Sequence, residues 1–297
     1  MTMQVSPTSG SRLSRMVTAR DAGHFSPLIS GILTLPLLAA LTLGFVYPVA
    51  KLVGLSFADG GNSYFRIWDD PLYLNILFDT VITAATVTSF CLALGYPVAF
   101  AMASLRAKAA LAVAACVFVP LWTSVLIRSY AWILLLQRNG PINGFLRDQG
   151  LLDEPLKLLY THGAVVLGMI HVLLPFAILP IFSTLKTLPP DYRRAAANLG
   201  ANPAQVFLRI ILPLSLPGVF AAGLLCFVLA LGFYITPALL GGPGSMLMAT
   251  LIGQQTTVLL DWPFAAALST VLLAVTLLVV FLFRKALSLN KGFHSVR

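Results

Sequence analysis

Apolar residues fall in six long runs, roughly 28–57, 76–104, 109–137, 164–185, 214–240 and 264–283, separated by short polar stretches. A helix needs about 20 mostly apolar residues to cross a bilayer, and each run reaches that length. The pattern predicts an all-α, polytopic membrane protein with six transmembrane helices. Prolines at 36, 48, 97, 120, 175, 180 and 237 lie inside these runs. They are compatible with spans, because neighbouring helices and local readjustment satisfy the carbonyls that proline frees. Residues 1–27 are polar, with Arg12, Arg15 and Arg20. The run that follows is long enough to span, so it is read as an uncleaved first helix rather than a signal peptide. Three segments result: an N-terminal tail at 1–27, one membrane domain at 28–285 and a C-terminal tail at 286–297. Between the runs, Arg138–Gly144 is a cluster of turn residues, and residues 245–260 are mildly apolar, as expected of a short interfacial helix.

Composition supports the bilayer as solvent. Of 297 residues, 58% are hydrophobic and only 10% charged, with a mean hydropathy of +0.90. Soluble domains carry about 25% charge. The net charge of +9 forms no basic stripe with aromatics, so no nucleic-acid partner is expected. The basic residues sort by loop instead. An even number of spans places 1–27, 105–108, 186–213 and 284–297 on one side. Those segments hold Arg12, Arg15, Arg20, Arg106, Lys108, Lys186, Arg193, Arg194, Arg209, Arg284, Lys285, Lys291 and Arg297, against Asp21 and Asp191. The opposite loops hold only Arg66, Arg138, Arg147 and Lys157, against seven acids. By the positive-inside rule both termini are expected in the cytoplasm.

The stretch 187–213 is the one polar, helix-forming insert between two runs. Pro189-Pro190 stops the fourth helix, and Asp191 is placed to cap a new one. Tyr192, Ala195, Ala196 and Leu199 fall on one face, and Gly200 fits a helix stop. Asn202-Pro203 then starts a second short helix, as cap and first turn, running through Val206, Phe207 and Ile210 to Pro213. The expected product is a helix–turn–helix at the membrane surface, either a connector or a dock for a soluble partner.

Motif spacing bears on that choice. Ala195-Ala196, Gly200 after three further residues, then Ile210, Leu212 and Pro213 after nine more resemble the coupling-loop signature of ABC-importer permeases. Further stretches resemble the spermidine/putrescine permease branch: Leu126–Asn143, Pro237–Pro243 and Asp261–Ala267. The resemblance covers about residues 28 to 285. It implies the type I importer permease fold, with 187–213 as the coupling loop. It also implies a cytoplasmic ATPase dimer that binds the ATP, a second permease subunit, a periplasmic substrate-binding protein and an inner-membrane location. The coupling residues would be Asp191, Arg194, Ala195, Ala196, Gly200, Ile210, Leu212 and Pro213. One position departs: the signature's glutamate falls on Arg194. The reversed charge implies either loss of that contact or a compensating acid on the ATPase.

Ionisable residues inside spans are costly and mark pathways by default. Arg128 lies nineteen residues into the third run, about 28 Å along a continuous helix. This predicts a position near the outer surface, and Asp79 in the second run is expected there too. The two could snorkel, pair with each other or line the outer mouth or gate. Lys51 is expected to snorkel. Trp122, Tyr130, Trp132, Phe233 and Tyr234 could hold alkylammonium groups by cation–π contact, though aromatics are common at any membrane interface. Gly232–Pro237 is the expected break in the fifth span.

Cys91, Cys116 and Cys226 sit singly in apolar runs, and the four histidines are dispersed, so no metal site is predicted. No phosphate-binding loop, nucleophile elbow or zinc-protease motif occurs, so no catalytic residue or cofactor of the chain's own is expected. The reading is a permease subunit importing a small solute, a polyamine by resemblance. The alternatives are an opine, an amino acid or another amine in the same importer class, or an ion-driven secondary transporter. The last would show inverted repeats and midplane charges, and neither is visible in the sequence.

Overall fold

The structure, a computed structural model, describes residues 27–292, with side chains described from 34 to 285. Of the terminal tails expected at 1–27 and 286–297, residues 1–26 and 293–297 lie outside the described residues, and 286–292 continue the last helix. The chain divides into two units, 1–52 and 53–297. In the first, α1 (Pro27–Leu41) passes through a π turn at Thr42–Val46 into α2 (Tyr47–Leu55). The wide turn precedes Pro48, and it lets the helix continue past a residue that cannot donate to the ladder. Lys51 Nζ lies 5.7 Å from the Tyr47 ring centroid.

The second unit is helical throughout its described elements. A short α3 (Asn62–Asp69) precedes α4 (Pro71–Ser104). Asp70 starts α4: its side chain accepts from Leu72 N–H at 2.9 Å, with Pro71 in the first turn. After α5 (Ala107–Phe118), a 3₁₀ turn at Val119–Trp122 leads to α6 (Val125–Leu136), and α7 (Pro141–Asp148) follows. α8 (His162–Thr187) begins at Thr161, whose Oγ1 accepts from Ala164 N–H at 3.2 Å. Next come α9 (Asp191–Asn198), α10 (Pro203–Val206), a π turn at Phe207–Ile211 and α11 (Leu212–Leu231). The chain closes with α12 (Ile235–Leu240), α13 (Met248–Thr257) and α14 (Trp262–Gly292).

The core is the bundle of α4, α8 and α11. Small residues on facing sides set its tightness. Gly95 lies against Ala177 and Ile178, and a β-carbon on Gly218 would meet Thr184 Cβ at 2.7 Å and the Pro180 carbonyl at 2.9 Å. Ala84, Val87, Cys91, Met169, Ala177, Ile178, Ala222 and Cys226 are fully buried there. The thiols of Cys91 and Cys226 donate to the Ile170 and Leu173 carbonyls at 3.8 and 3.7 Å, whereas Cys116 is exposed. A second cluster gathers Ile67, Tyr73, Met248, Leu251, Phe264 and Leu268 around the start of α4.

Among the described residues, five helices are long and apolar enough to span: Thr34–Leu55, Pro71–Ser104, His162–Thr187, Pro203–Leu231 and Trp262–Lys285. The predicted third span is not one straight helix. Ala107–Trp122 and Val125–Asp148 meet at a bend of 99°, and only counted together do they make a sixth span. Pro120 interrupts the ladder, Thr123 is extended, and Ser124 caps α6 by accepting from Leu126 N–H at 3.2 Å. Two further corrections concern the insert. The second short helix does not stop at Pro213 but runs through the π turn into α11, so that Pro203–Leu231 is one helix of 29 residues. Asp191 does not cap α9; it is the first helical residue, after Pro190. The fifth span does break where expected, between Leu231 and Ile235. An α13 is also found within the stretch expected to hold an interfacial helix.

Candidate functional site: the coupling loop and the outer pathway

The loop after α8 is built by local rules. Leu188 is extended and Pro189-Pro190 prevents continuation. Eight residues of α9 follow, ended by Gly200 at φ +79°, a conformation that suits glycine. Gly200 N–H donates to the Ala197 carbonyl at 3.0 Å, and Ala201 N–H to the Ala196 carbonyl at 3.0 Å. Asn202 and Gln205 then form a reciprocal capping box, at 2.8 and 3.0 Å.

Of the four residues predicted on one face of α9, only Ala196 is buried. Tyr192 is 53% exposed and Leu199 is 88% exposed, and Ala195 is exposed with them. The helix seats itself through Ala196 and presents two large apolar side chains outward. Arg194, where the signature has an acid, pairs with Asp191 one turn back at 3.5 Å, both side chains largely exposed. Ile210 and Leu212 are half-buried and Pro213 is exposed. The buried member of that group is Ile211, between them.

The anchor of the loop is aromatic. Phe207, in the π turn, meets Tyr96 and Phe100 of α4 edge-on, with centroids 5.8 and 5.4 Å apart. The Arg193 guanidinium lies 5.9 Å from the Phe100 ring, and Tyr96 OH shares a 2.8 Å hydrogen bond with Ser215 Oγ. None of Tyr96, Phe100 and Ser215 stands out in the sequence; the only signal is a hydroxyl or ring inside an apolar run.

The predicted pathway residues do not converge. Trp122 is 90% exposed, at the bend. Tyr130 is exposed, but Trp132 is half-buried and donates from Nε1 to His171 Nδ1 at 3.0 Å. Tyr234 sits at the break in the fifth span, over Gly253: a β-carbon there would come within 3.1 Å of Tyr234 Cζ. Arg128 is buried and, among the described residues, unpaired. It does not snorkel, being 8% exposed, and no carboxylate of the described residues lies within 4.0 Å of it. The bend at 119–124 removes the continuous rise on which the surface depth rested. Its Nε and Nη1 are buried without a hydrogen-bond partner. Beside it Ser129 shares a 3.1 Å hydrogen bond with Thr236, so the short helix after the break is tied to α6. Asp79 is exposed in the first third of α4 and is not paired with Arg128.

Comparison with known proteins agrees with this architecture. Residues 92–289 match the family described as binding-protein-dependent transport system inner membrane component. The spermidine/putrescine transport system permease protein PotB of Escherichia coli is 36% identical over 231 residues, 77% of this chain and 84% of that one. The inner membrane ABC transporter permease protein YdcU of Escherichia coli is 35% identical over 218 residues, 68% of each. The molybdenum transport system permease protein ModB of Mycobacterium bovis is 29% identical over 241 residues, 80% of this chain and 88% of that one. A crystal structure of a bacterial alginate ABC transporter, in complex with an alginate pentasaccharide-bound periplasmic protein, contains a chain of the same fold. Its TM-score is 0.72 at 19% identity, covering 86% of this chain and 92% of that one. An all-helical fold of apolar spans, a matched family and relatives covering most of the chain agree: this chain belongs to the binding-protein-dependent transport inner-membrane components, the multi-pass permease subunits of ABC importers.

Proposed function

We propose that this permease imports a polyamine-like amine, and that α9 with its flanking turns is the surface gripped by the ATPase. One observation carries the coupling reading: the helix Pro203–Leu231 starts in the loop and ends at the break before Tyr234. At 1.5 Å per residue it is a lever of roughly 40 Å. A push on α9 crosses only the turn at 199–202, fixed by Gly200 and the Asn202–Gln205 capping box, before it enters that helix. The exposed Tyr192 and Leu199 supply the apolar contact, and Phe207 transmits the motion to α4. Two ATPase subunits, a second permease and a periplasmic binding protein complete the assembly. ATP is held by the ATPase, and the termini face the cytoplasm, in accord with the excess of basic residues on that side. ATP favours one access state by binding it more tightly than the other.

The solute class rests on the 36% identity to the spermidine/putrescine permease and on the matching stretches at 126–143, 237–243 and 261–267. A second reading, an opine or amino acid that carries a carboxylate as well as an amine, is favoured by the buried, unpartnered guanidinium of Arg128.

Two measurements test these readings. In proteoliposomes holding the whole complex, Gly200→Pro and Leu199→Asp should abolish uptake and binding-protein-stimulated ATP hydrolysis. Leu199 is a surface residue, so its variant tests docking without disturbing the fold. Unchanged uptake in the Leu199 variant would overturn the coupling assignment. Titrating the cognate binding protein with polyamines, opines and amino acids decides the solute.

A further inference from the structure

A cavity of about 440 Å³ opens between the start of α4 and α13, a volume typical of small-ligand sites. Its polar lining comprises Arg66, Asn75, Asp79, Gln254 and Gln255. The walls are tied together: Met248 N–H donates to Thr80 Oγ1 at 2.9 Å, joining α13 to the residue next to Asp79.

The charges in this recess do not cancel. Arg66 is already engaged, pairing with Asp261 at 3.3 Å and lying 4.1 Å over the Phe264 ring. Asp79 has no cation of the described residues within 4.0 Å. One negative charge is therefore left facing the cavity. Gln255 adds a second feature. It is only 3% exposed, and its Oε1 is buried without a hydrogen-bond partner, although its backbone carbonyl accepts from Asp261 N–H at 3.0 Å. Two acceptors without a partner, the Asp79 carboxylate and the Gln255 amide oxygen, thus belong to residues that line one recess, and what they lack is a compact, multiply donating cation. An anion would meet the charge of Asp79.

We propose that this recess receives a primary alkylammonium group of the incoming solute, with Asp79 as counter-ion and the Gln255 amide oxygen as acceptor. The proposal rests on the polyamine-import reading above.

The test is radiolabelled putrescine binding to the assembled importer in nanodiscs, with and without the binding protein. Asp79→Asn should weaken binding about tenfold, the loss of one partly exposed ion pair with its hydrogen bonds. Gln255→Leu should weaken it roughly threefold, and Gln255→Glu, which adds a second carboxylate, should strengthen it. Asp69→Asn, an exposed acid outside the recess, should leave it unchanged. Equal affinity in wild type and Asp79→Asn overturns the recess while leaving the amine reading intact. A loss confined to complexes carrying the binding protein also overturns it, assigning Asp79 to a lysine of that protein. No binding of putrescine or spermidine by the wild type overturns the amine reading, and the recess with it.

Discussion

Phe207 stands edge-on to Phe100, ring centroids 5.4 Å apart at 77°, so a residue of the loop between α8 and α11 is packed into the side of α4. The contact is repeated with Tyr96 at 5.8 Å and 82°. Both partners lie on α4, which packs against α8 and α11 in the core. The loop is thus fixed to the bundle by ring packing rather than by charge.

Phe207→Ala removes both contacts from a half-buried position. The expected loss is roughly 2 kcal/mol, below that of a fully buried phenylalanine. A drop in the thermal midpoint of the purified complex measures it. If the ring also carries motion, ATP hydrolysis by the variant should continue while uptake falls. Tight coupling in a stable variant would show that the ring serves packing alone.

The close approach of α11 to α8 gives a second prediction. A methyl group on Gly218 would press on Thr184 Cβ at 2.7 Å and on the Pro180 carbonyl at 2.9 Å. Helix backbone cannot give way as a flexible side chain can, so Gly218→Ala should cost about 1–3 kcal/mol. Gly144→Ala, inside α7 where nothing lies within 4 Å of the added carbon, should hold or raise the midpoint, since alanine favours a helix over glycine by up to about 1 kcal/mol. The difference between the two variants is the quantity to measure.

The helical spans and the loop signals were legible in the sequence because they are local. Gly200, Asn202-Pro203 and the break at 232–234 are set by short-range backbone rules. The bend at Pro120 was missed because proline is tolerated in membrane helices; what turns it into a 99° bend is the combination with an extended Thr123 and a capping Ser124. The depth expected for Arg128 loses its basis with it, since a rise counted along one helix does not carry across a bend. The continuation past Pro213 was missed for the opposite reason: a π turn at 207–211 absorbs a residue that would otherwise end the helix. Contacts such as Trp132–His171, Ser129–Thr236 and Phe207–Phe100 join positions far apart in sequence. Nothing in a single chain's pattern pairs them.

Asp59 gives a prediction in pH. Its Oδ2 accepts from Ser63 Oγ at 2.6 Å and Ser63 N–H at 2.7 Å, and its Oδ1 from Gly61 N–H at 3.1 Å. The hydroxyl of Ser63 is the main cause of a carboxyl held below its usual range. With the folded value depressed, the carboxylate supports the start of α3 above the ordinary aspartate range, and that support fades as pH falls through the lower folded value. The group is a half-buried surface carboxylate that bonds only its own loop, so the effect is local fraying rather than global unfolding. Protection of the amides at residues 61–65, relative to their intrinsic exchange at each pH, should fall in acid, and Ser63→Ala should move that onset to higher pH.

Arg194 is the sharpest test of the loop. Its pairing with Asp191 is exposed at both ends, and such pairs add little to stability. Arg194→Glu should therefore leave the thermal midpoint of the permease nearly unchanged, even though it places two acids three residues apart. If the ATPase carries a compensating acid, the same substitution sets like charges against each other across the dock. Co-purification with the cognate ATPase should then weaken, and the loss should shrink as salt is raised, because exposed charges are screened. A matching acid-to-lysine change on the ATPase should restore it. If co-purification and uptake are untouched at low salt, the compensating acid does not exist, and the grip rests on the apolar pair Tyr192 and Leu199.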